Sequence, residues 1–149
     1  MSTFLGIDPG KLGAIATYDT ESHGLDIYDM PKTTVELHDV IASLPNIRLC
    51  VLEKAFYPRM IGVSNCARIA EAYGILKGAL IWRDIPFREV PPAKWKPAMD
   101  LTKDKTASRQ MAQNMFPDQA DLFKRVKDDG RAEAALIAYY ASERKIRTK

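Results

Sequence analysis

The amino-terminal stretch FLGIDPGKLGAIATYD, residues 4–19, constrains the fold more than any other part of the sequence. An apolar run ends at Asp8, Pro-Gly follows, and a second apolar run begins at Gly13, which is the pattern of two strands joined by a tight turn. A carboxylate at the end of a buried strand is costly to remove from water unless it has a partner. The stretch therefore predicts an antiparallel hairpin and, at Asp8, a position that needs a compensating charge.

The segments that follow predict a mixed α/β fold. Residues 25–28 are typical of a third antiparallel strand, and residues 35–44 carry apolar residues in a helical rhythm. The β-rich run IRLCVL, residues 47–52, is expected to return beside the first strand after a right-handed crossover. We expect a further strand at residues 85–90 and three further helices at residues 64–83, 105–115 and 129–143. Residues 94–97 are expected to form a loop or short turn. The predicted fold is a five-stranded sheet, three antiparallel strands followed by parallel ones, flanked by helices.

Composition limits the class of protein. With 149 residues, 46% of them hydrophobic, the chain is expected to form a single domain over residues 1–149. No stretch approaches the roughly 20 apolar residues of a membrane span, and a signal-peptide pattern is missing, so we expect a cytoplasmic protein that is not secreted and binds no membrane. Cys50 and Cys66 lack the spacing of a zinc or disulfide framework and are expected in the core.

Acidic residues fall at the ends of predicted elements, on one edge of the sheet. Asp8 ends the first strand, Glu53 ends its neighbour, and Glu133 lies in the first turns of the last helix. Asp129 shares a helix face with Glu133, whereas Asp128 points away and is the more typical cap. Each acid alone fits a turn, a solvated strand end or a cap, but together they predict converging carboxylates that need a cation. Mg²⁺ or Mn²⁺ suits such oxygen ligands, and a pair of ions promotes phosphoryl displacement.

Other catalytic chemistries have no support in the sequence. His23 falls in a turn and His38 on the exposed side of a short helix, so both are expected to be surface residues. No nucleophile elbow, Walker loop or dinucleotide-binding fingerprint is present. The net charge of +3 is only mildly basic, and does not by itself identify a nucleic-acid-binding protein.

The helix predicted at residues 64–83 carries two apolar stripes. One runs from Cys66 to Leu80, and the second contains Ala72, Ile75, Ala79 and Trp82. A helix that packs on one sheet needs a single stripe. The second stripe either forms an interface with another subunit, or Trp82 simply covers a neighbouring loop.

Three motifs are similar to those of the RuvC-type Holliday junction resolvases of the ribonuclease H-like superfamily, especially their small phage-borne members. They are GIDPG at residues 6–10, VLEKAFY at 51–57 and DDGRAEAALIAYYA at 128–141. The segments IPFREVPPAKWKPAM and KDKTASRQMAQNMFP are similar to the family's later strand and lysine-bearing segment. The resemblance implies a ribonuclease H-like fold, a homodimer, and magnesium-dependent paired symmetrical nicks in four-way DNA junctions during recombination and repair. The products would carry 5′-phosphate and 3′-hydroxyl ends, in the cytoplasm of a bacterial or phage-infected cell.

The resemblance also implies roles for particular residues. Asp8, Glu53, Asp129 and Glu133 would be catalytic and would hold two Mg²⁺ ions per active site, for which Mn²⁺ would substitute. Family members often have the two carboxyl-terminal acids three residues apart, where this chain has Gly130, so the fourth ligand is Asp129 or Asp128. Phe56 would stack on an opened base pair, and Lys94 and Lys105 would contact phosphates. The other residues expected at the DNA are Lys11, Lys54, Tyr57, Arg59, Lys96, Lys103 and Arg109.

Three other functions stay open. A ribonuclease H-like nuclease that trims structured RNA, as in ribosomal-RNA maturation, is the nearest alternative, and a junction-binding protein that does not cut is the next. A sugar-kinase-like or actin-like ATPase shares the strand-turn opening, but needs two such lobes around a cleft, and we expect this chain to form only one.

Overall fold

The computed structural model describes residues 2–143. Its sheet has the strand order β3-β2-β1-β4-β5, made up of β1 (Thr3–Asp8), β2 (Ala14–Asp19), β3 (Leu25–Asp29), β4 (Ile47–Glu53) and β5 (Phe87–Val90). Strands β1, β2 and β3 are antiparallel neighbours, whereas β4 runs parallel to β1 and β5 parallel to β4. The predicted mixed five-stranded sheet is therefore confirmed.

Helices flank this sheet. They are α1 (Thr34–Ser43), α2 (Val63–Trp82), α3 (Pro92–Ala98), α4 (Lys105–Met115) and α5 (Asp129–Ser142), with 3₁₀ turns at Pro117–Phe123 and Val126–Asp128. The prediction of a loop or short turn at residues 94–97 is wrong, because these residues belong to α3. Pro92 at the first turn suits a helix start, where its missing N–H is not needed, and the fully buried Trp95 anchors the helix to the core.

The two faces of the sheet bury different cores. In β1, Phe4 belongs to the cluster packed with α4 and α5, whereas Leu5 and Ile7 belong to the cluster packed with α1 and α2. Gly6 faces α5, where an added Cβ would meet the backbone nitrogen of Ala138 at 2.2 Å and the carbonyl oxygen of Ala134 at 2.3 Å. The missing side chain therefore lets α5 lie directly against β1, and α5 is buried nearly all round, as predicted.

The amino-terminal turns of α2 extend beyond the core. Val63 is 88% exposed, and the buried residues of the helix begin only at Tyr73. Cys50 is buried, as predicted, but the expectation of a core thiol is wrong for Cys66, which is only half-buried in these early turns. Among residues 2–143, no helix is both long and apolar enough to cross a membrane.

The second stripe of α2 is partly accounted for within the chain. Ile75 and Ala79 pack against the core between α1 and α2, whereas Trp82 stays 69% exposed. The Trp82 ring centroid lies 5.3 Å from that of His38 on α1. Trp82 thus covers a neighbouring helix rather than a loop, and its outer face is open to solvent.

Candidate active site

The parallel pairing of β1 and β4 places two acids side by side. Ile7 is the register partner of Leu52, so the next residue in each strand, Asp8 and Glu53, ends its strand beside the other. Since side chains alternate along a strand, Asp8 lies on the same face of β1 as Gly6, which is the face that α5 covers. The parallel pairing and the alternation of side chains therefore place both carboxylates on the face of the sheet that α5 covers.

Helix α5 adds the third carboxylate. One oxygen each from Asp8, Glu53 and Glu133 can be chosen so that all three lie within 4.8 Å of one another. Glu133 is only 5% exposed, and the other two residues are half-buried. The structure thus brings together three of the four acids that the sequence singles out, at the carboxyl ends of the two central strands.

Each of the three carboxylates accepts a hydrogen bond from a different donor. Trp95 Nε1 donates to Glu53 Oε2 at 2.7 Å, and Lys96 Nζ donates to Glu133 Oε1 at 2.7 Å. The backbone N–H of Gly10, in the turn after β1, donates to Asp8 Oδ1 at 3.3 Å. Helix α3 therefore orients two of the three acids, through adjacent residues.

Asp8 and Glu53 resist ionisation. Burial, followed by repulsion from Glu133, raises the pKa of Asp8 to about 6 from an ordinary 3.8. Burial, followed by repulsion from Asp8, raises the pKa of Glu53 to about 7 from 4.5, although the Trp95 hydrogen bond opposes the rise. The positive charges of Lys96 and Lys105 lower the pKa of Asp8 but do not offset the effect of burial and of the neighbouring acid. Carboxylate oxygens placed in this way fit a hard divalent cation, which would supply the missing positive charge.

Asp129 does not join the three clustered acids. Its Oδ1 lies 2.8 Å from Nε of Arg109 on α4, and both side chains are largely buried. A side chain three residues before Glu133 is excluded in this packing, because a Cβ on Gly130 would lie 2.1 Å from the carbonyl oxygen of Leu12. The closeness of the β1–β2 turn to α5 explains why this chain has no acid at that position.

Asp128 is turned to arginines instead. It occupies the N-cap position of α5, as expected, but its side chain does not cap the helix. Its Oδ2 accepts the backbone N–H of Arg125 at 2.8 Å, and its Oδ1 accepts Nη2 of Arg125 at 2.9 Å, with Arg131 at 3.8 Å. Burial opposes ionisation, but these bonds and charges outweigh it and lower the pKa of Asp128.

The residues expected at DNA fall into two groups. Lys96 and Arg109 are largely buried and paired with Glu133 and Asp129. The others are exposed: Lys11, Lys54, Phe56, Tyr57, Arg59, Lys94, Lys103 and Lys105. Phe56 is 74% exposed in the segment that follows β4.

A pocket of about 420 Å³ opens beside the acids. Asp8, Asp129 and Lys105 line it, together with Leu12 and Val126, two apolar residues that are 85% and 73% exposed. It therefore combines negative, positive and apolar groups, and Asp8 is the member of the acid cluster that lines it.

Sequence reasoning missed Trp95 as a partner of Glu53 and assigned Lys96 only to DNA. The run KWK carries a usable signal, since a tryptophan between two lysines is expected on the buried side if the segment is helical. Lys94, which the motif comparison matched to a phosphate-contacting lysine, is exposed. Of the two lysines in KWK, it is Lys96 that contacts an acid of the cluster.

The mixed sheet, its flanking helices and the acids at the strand ends define a ribonuclease H-like fold. Among solved structures, Thermus thermophilus RuvC in complex with Holliday junction substrate matches with a TM-score of 0.66 and 15% identity, over 93% of this chain and 91% of that chain. A Thermus thermophilus RuvC structure matches with a TM-score of 0.64 and 14% identity, over 93% of both chains. No family model and no curated protein matches the sequence. The RuvC-like fold implied by the motifs is thus confirmed.

Proposed function

We propose that this protein is a magnesium-dependent endonuclease that resolves four-way DNA junctions by paired symmetrical nicks. The observation that carries the proposal is the convergence of Asp8, Glu53 and Glu133, whose oxygens lie within 4.8 Å of one another. The fold is shared with RuvC, and one of the matching RuvC structures is in complex with Holliday junction substrate. The similarity to RuvC supports the fold, and the three carboxylates support the proposed metal-dependent reaction.

Asp8, Glu53 and Glu133 would hold the divalent ions. When bound, such ions lower the pKa of a water molecule and stabilise charge on the leaving oxygen of a phosphodiester. Trp95 keeps Glu53 oriented toward the cluster, and Lys96 neutralises Glu133 in the protein without metal. Lys105, exposed at the pocket beside Asp8, would hold the phosphate to be cut.

Aromatic and basic residues around the acids would bind the junction. Phe56 and Tyr57 follow Glu53 closely and are 74% and 43% exposed, so they could stack on bases that the junction leaves unpaired. The exposed lysines and Arg59 would contact backbone phosphates. Stacking would give preference for a branch point over regular duplex.

A homodimer would match the two nicks to the two-fold symmetry of a junction. A groove of about 370 Å³ between α1 and α2 is lined by Leu37, Ile75 and Trp82, among others. Trp82 and Ile81 are 69% and 64% exposed beside it. We propose that a second copy of the chain covers this face, because an isologous interface pairs one apolar patch with itself.

The deciding experiment presents the purified protein with labelled four-way junction, linear duplex and structured RNA, each in Mg²⁺, Mn²⁺ or chelator. Paired symmetrical nicks in the junction alone, abolished by chelator and by Glu53→Gln, support the proposal. Trimming of RNA in preference to the junction would show a nuclease of the RNA-processing kind. Junction binding without cutting in either metal would show a binding protein.

A further inference from the structure

Two arginine–aspartate pairs at α5 differ in geometry. Arg131 grips Asp29 of β3 with two hydrogen bonds, from Nε at 2.7 Å and Nη2 at 2.8 Å. Arg109 instead has its Nε 2.8 Å from Oδ1 of Asp129. Among residues 2–143, neither the Nε nor the Oδ1 of that contact has a partner with hydrogen-bond geometry. The first pair is held by two hydrogen bonds, whereas the second is an ionic contact without hydrogen-bond geometry between the two atoms.

The remaining nitrogens of Arg109 are weakly engaged. Nη1 donates to the carbonyl oxygen of Lys124 at 3.3 Å, and Nη2 donates to the hydroxyl of Thr106 at 3.4 Å, both long for hydrogen bonds. A guanidinium binds a phosphate best through two parallel N–H groups. Arg109 is therefore not saturated by its present partners and has donors to offer a stronger acceptor.

The location puts this contact at the edge of the acid cluster. Asp129 lines the same pocket as Asp8 and Lys105. Arg109 lies four residues after Lys105 in α4, so the two cations share one face of that helix. A nucleic-acid phosphate that reaches Lys105 would therefore come close to Arg109 as well.

We propose that Arg109 is a latch that keeps Asp129 away from the metal site until a nucleic-acid phosphate takes the guanidinium. Released, Asp129 becomes an additional metal ligand beside Asp8 and Glu133. The inference rests on the proposed metal-dependent nuclease function. It couples metal binding to substrate binding, and it explains how an acid four residues before Glu133 can serve where Gly130 allows no side chain.

The test is a double-mutant cycle on Mn²⁺ binding to the intact chain without DNA, followed by calorimetry and by the electron paramagnetic resonance signal of free Mn²⁺. Arg109→Gln should bind Mn²⁺ about tenfold more tightly, a typical size for coupled sites. Asp129→Asn should stay within about twofold of the unmodified protein, because the latch already withholds this carboxylate. The double variant should lose the whole gain of Arg109→Gln. Arg109→Met, which keeps the apolar stem, should reproduce the gain.

Arg125→Gln is the matched control, since it removes the same charge from the neighbouring Asp128 pair. It should leave Mn²⁺ affinity unchanged, and an equal gain there would overturn the latch by showing a general charge effect. An Asp129→Asn variant that weakens binding as much as Asp8→Asn would also overturn it. Mn²⁺ binding that responds to Asp8→Asn but not to either Arg109 variant overturns the latch alone. Binding that is missing, or indifferent to Asp8→Asn, overturns the proposed function as well.

A second measurement adds a short duplex DNA as the source of phosphate. The Mn²⁺ affinity of the unmodified protein should rise toward that of Arg109→Gln, whereas Arg109→Gln should gain nothing further. Asp129→Asn with the same DNA serves as the blank for Mn²⁺ bound by the duplex itself. An unmodified protein that gains no more than this blank would show that phosphate does not open the latch.

Discussion

At the scale of single residues, the buried acids that would bind metal destabilise the protein when metal is absent. In the folded protein the pKa of Asp8 is about 6 and that of Glu53 about 7, against ordinary values of 3.8 and 4.5. Both groups therefore keep their protons to a higher pH when the protein is folded. The folded state therefore binds more protons than the unfolded chain in this interval. Their contribution to the free energy of unfolding falls as pH rises from about 4 to about 7.

Replacement of Asp8 by Asn should stabilise the metal-free protein at pH 8 by about 2 kcal/mol, because it removes a buried charge. At pH 4, where Asp8 is protonated in the folded state, the gain should vanish. Urea unfolding in chelator at the two pH values measures both. Asp26→Asn, at an exposed position in β3, should change neither value, and an Asp8→Asn protein less stable than the unmodified one at pH 8 would contradict the account.

In the proposed metal site, Trp95 would contribute to metal binding through Glu53. Trp95→Phe keeps a buried aromatic ring but removes the donor that holds Glu53 Oε2 at 2.7 Å. We expect Mn²⁺ affinity to fall about 10- to 100-fold, as is usual when a ligand loses its orienting partner. Phe123→Leu disturbs the same core cluster without touching an acid and is the matched control. Equal Mn²⁺ affinities for the two variants, measured by calorimetry, would argue against a positioning effect of Trp95.

At the scale of elements, the contact between β1 and α5 sets the site. Gly6→Ala would place a methyl group within 2.3 Å of backbone atoms of Ala134 and Ala138, so strand and helix must separate. We expect a loss of about 3 kcal/mol in the free energy of unfolding, with weaker Mn²⁺ binding because Glu133 moves with α5. Urea unfolding and calorimetry test the two effects.

Gly74→Ala is the control for that substitution. Gly74 lies inside α2, and an added Cβ would meet nothing within 4 Å. The same chemical change should therefore stabilise the protein by about 0.5 to 1 kcal/mol, since alanine is the better helix former. If the two alanine variants shifted stability in the same direction, the close approach of α5 would not be the cause.

The elements and the three clustered acids were predictable from the sequence because both depend on local patterns. Strand and helix periods set the order of the sheet, and acids at element ends meet when neighbouring strands are parallel. The helix at 92–98 was not predicted, because its prolines are typical of a loop and its anchor is the burial of Trp95. The pairing of Arg109 with Asp129 could not be predicted either, since it depends on how α4 packs against α5. That residues 1–149 form a single domain stays a prediction.

At the scale of the whole molecule, binding of nucleic acid should depend strongly on salt. Six of the residues expected at DNA are exposed cations: Lys11, Lys54, Arg59, Lys94, Lys103 and Lys105. Junction affinity, measured by fluorescence anisotropy in chelator, should fall roughly 1,000-fold between about 50 and 200 mM salt. Lys103→Gln should lower the salt slope by about one. Lys77→Gln should not, because Lys77 lies on α2 and is paired with Glu89 of β5. A slope near zero would exclude binding through phosphates.

The assembly state is a second property of the whole molecule. We expect a dimer in sedimentation at micromolar concentration, and a monomer for Trp82→Glu, which puts a charge into the apolar face of α2. Val126→Glu is the matched control, because Val126 is exposed to a similar degree, 73% against 69%, but lies beside the acids. A monomeric unmodified protein, or two variants with the same effect, would contradict the proposed interface.

The packing of α5 against β1 also determines when the acid cluster can form during synthesis, because one of its three members lies on α5. A nascent chain has Asp8 and Glu53 early, but Glu133 and the helix that covers one face of the sheet emerge from the ribosome near the end. Domains assemble as units while translation proceeds. Truncated or stalled translation products that end before α5 would therefore lack Glu133 and could not form the proposed metal site.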